Sequence, residues 1–188
     1  MNILLLSGST IGSKTRIAME HCYKQLKQHS PESEITFIDL ADYQLQFSDG
    51  RHYLDYDGDT AHVTQSIMNA DIIMIGSPIF QASIPGTLKN VFDLLPTDGL
   101  RDKVISMIIT AGSSKHYLVP MIQLKPILTY MKGSVVDDYV FIEEKDYHLK
   151  EIVNDDVFLR IDRLIDDTIT QYDALQYTKE KEVEKYGF

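Results

Sequence analysis

The most constraining feature of this chain is a short apolar run that stops abruptly at a loop of small residues. Ile3–Leu6 is wholly apolar and ends at Ser7-Gly8-Ser9-Thr10-Ile11-Gly12-Ser13. A run that short, with no polar residue facing solvent, reads as a strand buried on both faces. A helix is predicted from about Thr15, with Ile17, Ala18, Cys22 and Leu26 roughly on one face. The pattern then recurs, with further strand candidates at Ile35–Leu40, Asp71–Gly76, Val104–Ile109 and Val135–Ile142.

Helical spacing falls between and after these runs. Leu88, Val91, Phe92 and Leu95 follow Pro85-Gly86 at the i, i+3, i+4, i+7 spacing of an amphipathic helix. Leu118–Lys132 also reads as helical, with Pro120 in a first turn, a kink at Pro126 and Gly133 as the C-terminal cap. Phe158, Ile161, Ile165, Ile169 and Tyr172 line one face of a last helix, and the charged stretch 173–188 reads as a tail that frays from Thr178. The polar stretch Gln44–His62 reads as irregular. Strands that alternate with helices join by right-handed crossovers into a parallel sheet between two helical layers. The expected order of the five strands is 2-1-3-4-5, in a single domain spanning 1–188.

Composition narrows the function. With 18 Lys+Arg against 28 Asp+Glu the formal net charge is −10, which argues against duplex nucleic acid as a partner but leaves room for a local phosphate site. The single cysteine, Cys22, lies on an apolar helix face and excludes an internal disulfide framework. No apolar run approaches the ~20 residues of a membrane span. Met1-Asn2-Ile3 lacks a basic signal-peptide region, so the expected location is cytoplasmic.

Three strand-end loops are the candidate site. The first opens a helix, where backbone N–H groups favour an anion, and it carries Ser9, Ser13 and Thr15 hydroxyls with Lys14 and Arg16 charges. It is neither a Walker A loop nor a full Gly-x-Gly-x-x-Gly fingerprint, so it reads as a phosphate cradle or as an ordinary Ser-capped turn. The second, Ser77–Gly86, combines Phe80 with small Ala82 and Gly86, which suits a flat ring laid on backbone or a hydrophobic loop stiffened by prolines. The third, Thr110–His116, carries Gly112 between small residues, so its amides can approach a ligand closely. Ligands of open α/β sheets bind at this carboxyl edge.

The run SPIFQASIPGTLKNVFDLL, Ser77–Leu95, resembles the NAD(P)H-dependent FMN reductase family, whose members carry Ser/Thr-Pro-x-Tyr/Phe-x-x-x-x-x-Gly-x-Leu-Lys. Asp93-Leu94-Leu95-Pro96, His116, Leu124-Lys125-Pro126 and Val136-Asp137-Asp138 are similar to the FMN reductases of two-component alkanesulfonate monooxygenase systems. Ile122 stands where sulfonate-linked members can carry Tyr, and the first loop is one residue shorter than in many relatives. The resemblance implies a flavodoxin-like three-layer sandwich that passes hydride from NADPH or NADH to FMN. Ser9, Ser13, Thr15 and Arg16 would surround the FMN phosphate, and Pro78, Ile79, Phe80 and Gln81 would follow the ring edge. Ala111, Gly112, Ser113 and Ser114 would approach the pyrimidine side or the nicotinamide. It further implies reduced flavin passed to an acceptor, a monooxygenase as partner, and a homodimer or homotetramer. An FMN-bound quinone or azo reductase, and a flavodoxin-type carrier without nicotinamide activity, are the alternatives.

No catalytic side chain is required by this chemistry, because the flavin ring carries the redox step and the protein positions it. The six histidines form no close metal pair, and Asp55-Tyr56-Asp57-Gly58-Asp59 lacks the Gly and Glu positions of a calcium loop, so no metal is expected.

Overall fold

The computed structural model describes residues 1–186. The element order is β1 (Asn2–Ser7), α1 (Lys14–His29), β2 (Glu34–Asp39), α2 (Gly58–Asn69), β3 (Ile72–Pro78), α3 (Gly86–Asp93) and β4 (Val104–Ala111). Then come α4 (Lys125–Tyr130), β5 (Ser134–Val135), β6 (Val140–Glu143), β7 (Tyr147–His148), β8 (Glu151–Ile152) and α5 (Asp155–Tyr186). The main sheet is parallel in the order β2-β1-β3-β4-β5, with β6 also paired to β4. This is the doubly wound, flavodoxin-like order expected from the alternation of strand and helix.

The strand residues divide between two cores. Leu4, Leu6, Ile73, Ile75, Ile105, Met107 and Ile109 face α2, α3 and α4, where Val63, Ile67, Leu88, Val91 and Leu128 meet them. Ile3, Leu5, Ile72, Met74, Val104 and Ile108 face α1 and α5, where Ala18, Met19, Cys22, Leu26, Ile161 and Ile165 meet them. Successive side chains of a strand point to opposite faces, so a strand covered by helices on both sides must be apolar at every position. Cys22 is fully buried with its Sγ 3.6 Å from Met74 Sδ, and burial pushes its thiol pKa up, which makes it a structural thiol.

Four local features depart from the sequence expectations. The crossover between β2 and β3 contains a helix, α2, that begins inside the stretch expected to be irregular. Its fully buried apolar residues are Val63 and Ile67, with Met68 partly buried beside them and the buried hydroxyls of Thr60 and Thr64 filling the rest of the face, so its hydrophobic period is faint. The fifth strand is split. Ile105 pairs with Val135 and Ile108 with Val140, so five steps on the outer strand oppose three on β4 and the extra residues loop out around Asp137 and Asp138. The helical stretch after β4 is also broken: Pro120–Leu124 is a π-helical turn and α4 follows it. Pro126 lacks an N–H and crowds the carbonyl four residues earlier, and the widened turn accommodates that loss. Gly133 is not the left-handed residue, because Lys132 takes that conformation at φ 72°. Gly133 is needed for proximity instead, since a Cβ there would lie 2.4 Å from Ile105 Cδ1.

A fifth departure lies in the charged stretch from 173: expected as a tail fraying from Thr178, it is helical through Tyr186, held in part by Lys179 3.3 Å from Asp102, while Gly187 and Phe188 lie outside the described residues. No described helix is long and apolar enough to cross a membrane.

Candidate active site

The loops after β1, β3 and β4 converge at the carboxyl edge of the sheet. Gly8 fixes their approach: its N–H donates to Gly76 O at 2.7 Å, and a Cβ on Gly8 would lie 2.8 Å from Leu88 Cδ2. Only glycine lets the first loop pass so close to β3 and α3. The three loops enclose a cavity of about 330 Å³, within the range of small-molecule sites. Its walls are Ile11–Thr15 from the first loop, Pro78–Phe80 from the second, Thr110–Gly112 from the third, and Glu144. A larger cavity, about 430 Å³, lies at the opposite strand edge near Asn2, Glu34 and Asn69. The carboxyl-edge cavity is the candidate site, because the 16-residue helix α1 begins there and its N-terminus is suited to an anion.

Chemically the cavity has two ends. At one end α1 starts at Lys14, and its N-cap residue Ser13 makes no side-chain capping bond, so the first-turn N–H groups have no side-chain cap among the described residues. Lys14 and the Ser13 hydroxyl lie beside them. The other end is apolar and flat, formed by Pro78, Ile79, Phe80 and Ala111. Phe80 is 38% exposed and thus belongs to the cavity wall rather than to the core. It begins a two-residue hairpin turn: Phe80 and Ser83 exchange both backbone bonds at 2.9 Å. Gln81 and Ala82 between them have φ of 48° and 60°, a strained conformation for residues with a Cβ.

Of the residues singled out from sequence, Ser13, Thr15, Pro78, Ile79, Phe80, Ala111 and Gly112 line this cavity together. Ser9 is buried and turns inward, its hydroxyl donating to Ile11 O at 2.6 Å, so it shapes the loop. Gln81 sits exposed at the hairpin tip, and Ser113 and Ser114 follow the wall residues without being among them. Arg16 points away from the cavity. Its guanidinium lies 3.0 Å from Glu20, 3.3 Å from buried Asp39 and 3.2 Å from Asp42. Burial raises the Asp39 carboxyl pKa, and Ala41 N–H and Arg16 partly offset this.

The cation that does line the cavity is Lys14, and its ion-pair partner is Glu144, in the turn after β6. Tyr147 binds the same segment to α1, its phenol donating to Lys14 O at 2.9 Å; burial raises that phenol's pKa and keeps it a donor. Lys14 was visible in sequence as one of two loop cations. Glu144 carried no local signal, since it lies 130 positions from its partner.

A family model described as NADPH-dependent FMN reductase matches residues 1–147. The chain belongs to that family. An NAD(P)H-dependent FAD/FMN reductase from Geobacillus thermodenitrificans is 39% identical over 165 residues, covering 87% of this chain and 89% of that protein. Among solved structures, the apo form of the NADH:FMN oxidoreductase EmoB superposes with a TM-score of 0.73 at 26% identity, covering 90% of this chain and 89% of that one. Flavodoxin 1 from Bacillus cereus shares the fold, with a TM-score of 0.64 at 15% identity over 90% of this chain and 98% of its own. This reductase is therefore an NAD(P)H-dependent flavin oxidoreductase that uses FMN and a nicotinamide nucleotide. The donor set fits FMN: unpaired helix N–H groups and a cation suit a phosphate, and a flat apolar wall suits a fused ring.

Proposed function

We propose that FMN binds in the carboxyl-edge cavity with its phosphate at the start of α1, against Ser13, Lys14 and Thr15, and its ring along Pro78, Ile79 and Phe80. When bound, FMN supplies the redox chemistry by accepting hydride from the nicotinamide. The chain's own residues bind and orient. The α1 N–H groups and Lys14 anchor the phosphate. Phe80 and Ile79 exclude water from one ring edge. The amides around Ala111 and Gly112 face the polar side of the ring, and Ser113 and Ser114 border the space left for the nicotinamide. The observation that carries this reading is the union of an uncapped helix N-terminus and a flat apolar wall in one cavity. Titration with FMN and riboflavin, followed by anaerobic addition of NADPH or NADH, tests it. Micromolar or tighter FMN binding, weaker riboflavin binding and bleaching of the flavin band are expected. Equal affinity for the two flavins would remove the phosphate assignment.

The same reading makes the chain a single functional unit in the cytoplasm, passing reduced flavin or its electrons to an acceptor such as a two-component monooxygenase. It also makes the reductase a homodimer or homotetramer. Leu88 and Val91 are consumed in the core and Phe92 and Leu95 reach the surface only at a groove, so the exposed apolar surface for association comes from Leu118, Ile122 and Tyr130, which are 64%, 65% and 70% exposed. A groove of about 440 Å³ between Phe92, Leu95, Pro126 and Ile127 continues that surface. Light scattering giving only 21.5 kDa particles at micromolar concentration would remove the assembly.

A further inference from the structure

The ion pair across the phosphate end of the cavity has a consequence for how long FMN stays bound. Glu144 lines the cavity and forms an ion pair with Lys14. It belongs to a turn braced by hydrogen bonds on its neighbours. Glu143 N–H donates to Asp146 at 2.9 Å, Asn154 donates to the other Asp146 oxygen at 2.8 Å, and Tyr147 ties the segment to α1. Neighbouring Glu143 is engaged elsewhere, 2.7 Å from Lys145. A carboxylate thus stands on Lys14, the cation among the described residues lining the proposed phosphate end, where a dianionic ligand must come. Both partners are partly exposed, with side chains 40% and 65% accessible, so the pair is weak enough to exchange.

We propose that Glu144 is a built-in competitor for Lys14 that the FMN phosphate must displace, and that it keeps FMN an exchangeable substrate instead of a fixed prosthetic group. This inference rests on the placement of the phosphate at Lys14. On binding, Lys14 trades one anion for another, and the released carboxylate remains beside the phosphate as a like charge. Both effects weaken FMN and leave riboflavin, which lacks the phosphate, unaffected.

The test compares the full-length protein with Glu144→Gln, Glu144→Ala, Lys14→Met and Asp42→Asn, measuring FMN and riboflavin affinities by flavin fluorescence quenching and FMN release by stopped flow. Both Glu144 variants should bind FMN about three- to tenfold more tightly and release it more slowly, with riboflavin changed less than about twofold. The gain should shrink in the Lys14→Met background, where the competition is gone and only the like-charge repulsion remains. Asp42→Asn removes an equal charge outside the cavity, on the Arg16 side, and should leave the FMN-to-riboflavin ratio unchanged. Unchanged or weaker FMN binding in the Glu144 variants, or equal tightening by Asp42→Asn, would overturn the inference. If Lys14→Met weakens FMN selectively while Glu144→Gln does nothing, the phosphate placement stands and only the competition fails. If Lys14→Met affects both flavins equally, the placement itself fails and the inference with it.

Discussion

The hydroxyls of Thr15 and Thr110 lie 2.7 Å apart in the interior, joining the first turn of α1 to the last turn-point of β4. Both side chains are buried and both residues line the cavity. The bond therefore sets the separation between the start of α1 and the third loop, joined through residues 95 positions apart in sequence.

Replacing either threonine by valine keeps the shape but leaves the remaining hydroxyl without its partner. Each single change should cost about 1–3 kcal/mol, and the double Thr15→Val/Thr110→Val variant should cost less than the sum of the two. Urea denaturation of the four proteins measures this. Strict additivity would mean that the hydroxyls do not interact.

The Phe80–Ser83 hairpin turn places two residues with Cβ atoms in the left-handed region. Gln81→Asn with Ala82→Gly matches the residues that such a turn favours. The double variant should gain roughly 1 kcal/mol of stability by thermal or urea unfolding. A loss of stability would show that the Gln81 and Ala82 side chains contribute more than their backbone strain costs.

Phe80→Ala should lower the melting temperature little, because the ring is partly exposed rather than encased. FMN affinity or the rate of flavin reduction should fall, by about tenfold for each ~1.4 kcal/mol of lost positioning. Melting of the apo variant and stopped-flow reduction by NADPH separate the two roles. A loss of about 3–5 kcal/mol in stability with unchanged kinetics is the signature of a core residue and would contradict the exposed placement.

His21 packs 4.4 Å from the Phe158 ring, and burial lowers its pKa, with Asp162 opposing that shift and Lys24 adding to it. The unfolded chain takes up a proton below about pH 6.5, whereas the folded chain takes it up only at lower pH. Stability from this group is therefore complete above pH 6.5 and declines as pH falls toward the folded value. Urea midpoints at pH 7.5 and 5.5 should drop more for the native protein than for His21→Phe. Equal drops would place the acid sensitivity in other groups.

The cavity-lining residues anticipated from sequence are those whose loops follow an apolar strand, because strand ends in a doubly wound sheet are where ligands sit. Pro78, Ile79, Phe80, Ala111 and Gly112 were legible for that reason. Arg16 and Lys14 were equivalent on that basis, both being cations beside the first loop. The helix separates them: adjacent residues on a helix project about 100° apart, so one faces the cavity and the other faces Glu20, Asp39 and Asp42.

The alternation of strand and helix and the two apolar faces of the sheet were decided by the sequence alone. Strand and helix periods follow from backbone geometry, so Ile3–Leu6, Asp71–Gly76 and Val104–Ile109 announce buried strands wherever the chain goes next. The tertiary structure alone decided the split of the last strand, the helix at Gly58–Asn69 and the meeting of Lys14 with Glu144. Each depends on contacts between distant segments: a register against β4, a face filled by hydroxyls once it is covered, and a turn fastened to α1 through Tyr147. A local pattern records which residues avoid water, but not which distant group they will face once the chain has closed.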